Sequence, residues 1–211
     1  VEGPENGDFC FFRRCFLKDG AAVAGRKQLG DVIDLDERKR QLAARKAFRS
    51  WVLRFGEAFD FWTRLRDLSD RSLYELVQGG ETSGAVIQGF VMAVLGMGER
   101  DLDFQRLEPA EKIDVIDITL FLVDQLRFEC MRRLGWVETY PADGIPLMDM
   151  VEQFAIRFQV VKNETPPLAE THPAYADFQS TFQGDRASFV RRLIPEAIQA
   201  FGERVRRDPG K

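Results

Sequence analysis

Asp114, Asp117 and Asp124 are the residues whose type and spacing best suit chemistry. On a helix these three carboxylates fall within an arc of roughly 80°. Hard cations such as Mg²⁺ take several oxygen ligands, and D-x-x-D or E-x-x-D spacing is one way for helices to supply them. Glu57 and Asp60 repeat that spacing, and Glu152 adds a carboxylate beyond. Asp114, Asp117, Asp124, Glu57 and Asp60 therefore form a candidate Mg²⁺ set, provided that the two segments face each other. The chemistry would be that of a Mg²⁺-dependent phosphohydrolase or of a protein holding a nucleotide or another phosphate ligand. A solvated helix edge, neutralised by Arg127 or Arg132, explains the same strip with no cofactor. Phe121 and Phe128 lie within the strip, which argues that something covers it. That cover is a ligand, a partner chain or, most simply, another helix of this chain.

The paired acidic spacing resembles that of all-α, Mg²⁺-dependent nucleotide pyrophosphohydrolases. It departs from theirs in two ways: the pairs are far apart in sequence, and no adjacent Lys or Arg run marks a phosphate site. A separate basic run contains Arg38, Lys39, Arg40, Arg45, Lys46, Arg49 and Arg54, with no acidic residue between 38 and 56. Such a run could track phosphates, and nucleic-acid binding would then be strongly salt-dependent. These cations do not keep to one face, and no turn and second helix follow to enter a groove, so a solvated helix is the simpler account. The glycine stretches Gly79–Gly84 and Gly96–Gly98 lack the lysine of a phosphate loop and the spacing of a dinucleotide fingerprint, so both read as helix punctuation.

Nucleophilic catalysis has little to draw on. His172 is the only histidine and sits in a proline-rich stretch, where it reads as a loop residue or helix cap. Cys10, Cys15 and Cys130 form no even disulfide framework and no four-ligand zinc set. Reduced thiols in a cytoplasmic protein are the natural reading. The opening VEGPENGD lacks the charged start and apolar run of a signal peptide, and no stretch approaches about 18 uninterrupted apolar residues. Arg13 and Arg14, set among phenylalanines, are too short a signal to establish a membrane surface.

These side chains must be carried by helices. The firmest runs over about 109–134, with Pro109 at a first helical position and Gly135 as C-terminal cap. Ile113, Val115, Ile116, Ile118, Leu120, Leu122, Val123 and Leu126 span roughly 220° of it, so neighbours should surround it. An earlier helix is expected over about 36–68. There Phe48, Phe55 and Trp62 recur every seven residues, with Trp51 and Phe59 between them, as an aromatic heptad seam. Short helices follow over 72–77 and 84–95, the latter with Ala85, Gly89 and Ala93 on one side. Another starts at Pro146 and runs to about 161. After the proline-rich linker 162–173, helices over 174–182 and 186–205 close the chain, the last kinked at Pro195.

The sequence thus predicts an all-α protein, a multi-helix bundle or orthogonal array built around a central buried helix. Residues 1–33 are of uncertain structure, 34–161 form a helical core domain, and 174–211 form an arm packed on it. The chain holds 18 Phe among 211 residues, and its net charge of −4 divides into a basic N-terminal third and an acidic remainder. More apolar surface is present than one small bundle needs. The expectation is a non-enzymatic cytoplasmic protein acting through protein–protein contacts, most simply a homodimer, with no resident cofactor. The interface candidates are Phe48, Trp51, Phe55, Phe59, Trp62, Phe121 and Phe128.

Overall fold

The computed structural model describes residues 35–139, 144–161 and 165–208, apart from the side chains of 156–161. The aromatic segment around Phe9–Leu17, with Cys10, Cys15, Arg13 and Arg14, lies outside the described residues. The protein is all-α: helices pack on helices, and two isolated bridges (Arg64 with Pro146, Val137 with Leu168) are the only β pairing among the described residues. Among these residues no helix is long and apolar enough to cross a membrane.

The chain enters as α1 (Leu35–Ala47) and α2 (Arg49–Phe55), joined through Phe48 with the i to i−4 bonding intact across the joint. The helix stops at Phe55 because Gly56 takes a left-handed φ of 70° and its N–H caps the Val52 carbonyl. Only glycine enters that conformation without strain, so this is a glycine stop. The single helix expected to 68 is therefore corrected. Beyond Gly56 the chain turns back, and Phe59 stacks on Phe48 with ring centroids 5.3 Å apart.

Next come α3 (Asp70–Val77), capped by the Ser69 hydroxyl, and α4 (Glu81–Val94), entered through Gly80. A short α5 (Arg100–Asp103) precedes the central helix. The central α6 (Pro109–Arg133) opens with a capping box between Glu108 and Glu111, and Gly135 follows with φ 74°. Its inner face is Val115, Ile118, Leu122 and Leu126, all fully buried against α3, α4, α7 (Leu147–Val161) and α10 (Ile194–Arg207). It is not surrounded, however, because Ile113, Ile116 and Leu120 face outward. After α8 (Tyr175–Ser180), the kink expected at Pro195 becomes a break: α9 (Arg186–Arg192) ends and α10 begins with the proline in its first turn. Proline cannot donate to the preceding turn, and its ring displaces the carbonyl four residues back. Gly202 lets α10 close on α3, where a Cβ would stand 2.3 Å from the Tyr74 hydroxyl oxygen.

The core is one large cluster centred on Trp51, Phe90, Leu122 and Phe201, with a smaller cluster of Phe128, Met131, Phe178 and Val190 beneath α8 to α10. Between the two lies a buried charge knot. Arg133 donates to Asp70 (2.6 Å), to Glu129 (2.7 Å) and to the carbonyls of Leu65 and Leu68, and Arg132 pairs with the other Glu129 oxygen. Arg204 of α10 reaches both Asp70 and the Arg133 carbonyl.

Cys130 sits next to this knot, fully buried. Burial pushes its thiol from an ordinary 9.0 up to about 12; the Arg133 charge opposes that rise and Asp70 adds to it. Thiolate is the reactive form, so native Cys130 should resist alkylation at mildly alkaline pH and react once urea unfolds the chain, as read by peptide mass mapping. The unfolded thiol ionises above 9.0 while the folded one holds its proton to about 12, so this group removes stability as pH rises through that window. Alkylation of native Cys130 at the rate of a free thiol would contradict the assignment.

Candidate functional site

The surface feature best suited to function is built on the outer side of α4. Its inner face buries Ile87, Phe90, Val91 and Met92, and the Ser83 hydroxyl fixes its start by donating to the Glu75 carbonyl at 2.8 Å. Ala85, Gly89 and Ala93, four residues apart, face the other way. They floor an open groove of about 530 Å³ between α1–α2 and α5. Lys46, Arg49 and Leu53 line one wall, and Arg100 and Asp101 the other. Arg100 is held in place by Gln88 (2.9 Å) and Asp101 (2.6 Å).

Across α4 from the groove lies an apolar ridge on α6. Ile113, Ile116 and Leu120 fall within roughly 60° of the helix circumference. They are 60%, 45% and 59% exposed; Leu53 on the groove wall and Leu102 on α5 are 78% and 63% exposed. A hollow of about 280 Å³ between Gly84, Ala85, Gln88 and the ridge residues Ile116 and Leu120 shares Ala85 and Arg100 with the groove, so the two features are neighbours on one face. Single exposed leucines are ordinary, whereas clustered aliphatic residues on one face mark a binding surface.

The carboxylates of the candidate Mg²⁺ set are not brought together. Asp124 pairs with Arg127 (3.4 Å) and Arg191 (3.3 Å). Glu57 lies beyond the helix end and accepts from the Ser69 and Ser72 hydroxyls, bracing the start of α3. Asp60 closes a turn, accepting from the Trp62 N–H at 2.9 Å and the Thr63 hydroxyl at 3.2 Å. Asp114 is exposed and Asp117 half-buried on α6, the latter at the edge of the ridge, and neither has an ion pair among the described residues. No cluster of three or more His, Cys, Asp or Glu residues that could hold a metal ion occurs among the described residues.

The aromatic interface candidates mostly point inward. Phe48, Trp51 and Phe128 are fully buried, Phe55 and Phe59 are half-buried against the core, and Phe121 stacks on Phe154 at 4.2 Å. Helices of the same chain thus cover both phenylalanines of the acidic strip, α7 over Phe121 and the cluster of α8 to α10 around Phe128. Trp62, alone of the seven candidates, is exposed. The basic residues Arg38, Lys39, Arg45, Lys46 and Arg49 are all exposed, and the last two of these side chains border the groove. His172 caps a turn: its Nδ1 accepts from the Ala174 N–H at 3.2 Å, and its ring meets Trp136 edge-on. Burial lowers its pKa, with Glu196 opposing.

Sequence reasoning missed Leu53, Arg100 and Leu102 as surface determinants. Leu53 carried a signal, since it falls off the aromatic seam of its own helix; the other two are defined only by how α5 folds onto α4. No protein-family model matches the chain, and neither a curated protein nor a solved structure is significantly similar to it.

Proposed function

We propose that this chain is a non-enzymatic cytoplasmic protein that acts through protein–protein contacts and forms a homodimer. The observation that carries this reading is the ridge of Ile113, Ile116 and Leu120, aliphatic side chains left outside on the longest helix of the fold. Burying such side chains is worth about 25 cal/mol per Å² of apolar surface, a gain that the described residues leave unrealised. The buried free thiol of Cys130 suits a reducing compartment. All of the aromatic seam but Trp62 packs into the protomer's own core, which leaves the outer face of α4 and α6 for the contact.

Light scattering across a wide concentration range tests the reading. The expected result is a concentration-dependent rise in mass toward twice the 24.2 kDa of one chain. A monomer at every concentration would overturn it.

A further inference from the structure

We infer that the second copy docks ridge into groove, with α6 of each protomer seated in the α4 groove of the other. The inference rests on the homodimer reading and specifies its geometry. A two-fold dimer needs one surface patch that is complementary to itself. Here the ridge and the groove lie on the two sides of α4, so a single two-fold axis can make both contacts at once.

Three properties match. The first is length: Ile113 to Leu120 rises about 10 Å along its helix, and Ala85 to Ala93 about 12 Å along theirs. Shape is the second, because small side chains floor the groove while branched ones form the ridge, the arrangement by which one helix seats its apolar face between others. Charge is the third. Asp117 lies at the edge of the ridge, roughly 40° round the helix from Ile113. Lys46 and Arg49 line one groove wall, and none of these three has an ion-pair partner among the described residues, whereas Asp101 on the other wall is paired with Arg100. Opposite charges brought together across the two-fold would fix the register and reject other pairings. An acidic helix of a different protein would meet the groove by the same rules, but the structure already supplies such a helix on this chain.

The test uses two variants of the 211-residue chain, one reversing the ridge-edge charge (Asp117→Arg) and one reversing the wall charges (Lys46→Glu with Arg49→Glu). Lys46 and Arg49 are exposed and Asp117 is half-buried with no ion pair among the described residues, so neither variant breaks a salt bridge of the fold. In either variant alone both contacts of the dimer set like charge against like. Sedimentation equilibrium should then show self-association weakened by about tenfold or more. Mixing the two variants recreates opposite charges at both contacts of the heterodimer, so dimer should reappear in the mixture at near wild-type affinity. If wild type dimerises and either reversal leaves its affinity unchanged, or the mixture fails to recover, the ridge-into-groove geometry is overturned while the homodimer stands. A monomeric wild type overturns both.

Discussion

Replacing Arg133 with methionine should lower the unfolding free energy by about 3–5 kcal/mol, the range for breaking a buried ion pair from one side. The side chain is 15% exposed, and its partners Asp70 and Glu129 are 12% and 2% exposed, so water cannot take over its role. One guanidinium serves two carboxylates and two backbone carbonyls. Those carbonyls belong to Leu65 and Leu68, at the turn that delivers the chain into α3. Removing it leaves Glu129 with Arg132 alone and Asp70 with Arg204 alone, and frees two buried acceptors, each costly when unpaired. Urea unfolding is the measurement. Arg133→Lys should recover little of the loss, because an ammonium lacks the planar fork that reaches four acceptors at once. A loss below about 1 kcal/mol would mean that the knot behaves like solvent-exposed ion pairs.

That knot was invisible in the sequence for a physical reason. Asp70 and Arg133 are 63 residues apart, and charged side chains in a one-dimensional pattern read as a solvated face whether or not a third helix later covers them. The bounds of α6 were legible because they depend on local chemistry: Pro109 suits a first turn and Gly135 a left-handed stop. Gly56 is the same kind of stop and was equally readable, yet the seven-residue recurrence of Phe48, Phe55 and Trp62 ran across it. Periodicity records spacing along the chain and does not register a reversal. Once the chain turns back at Gly56, Phe59 meets Phe48 inside one protomer. The loss of helix at that point also removes Glu57 and Asp60 from any helical pairing with the α6 aspartates. For Ile113, Ile116 and Leu120 the spacing of apolar residues sets the width of the arc, but what covers an arc depends on how many helices reach it. The described helices reach only its inner part.

Trp51→Ala should cost about 3–5 kcal/mol, as large-to-small changes of aromatic residues in a packed core do. The indole is fully buried and meets Phe48 at 5.5 Å, Phe55 at 6.1 Å, Phe59 at 5.8 Å and Phe90 at 5.0 Å between ring centroids. Its N–H points toward the Val86 carbonyl at 3.4 Å, so the side chain joins α2, α4 and the returning segment after Gly56. Edge-to-face contacts of this kind add to simple burial, and the four rings left behind cannot all collapse into one vacated volume. Trp51→Phe should lose less, since it keeps much of the apolar contact and gives up the N–H. The same substitution distinguishes a core role for Trp51 from an interface role. If Trp51 belongs to the protomer core, Trp51→Ala lowers the unfolding midpoint of the monomer measured at high dilution, where no dimer remains. If it belonged to an interface, dilute monomer would be unaffected and only the association constant would fall. The burial of Trp51 within one chain predicts the first result, and the second would return the interface to the aromatic seam.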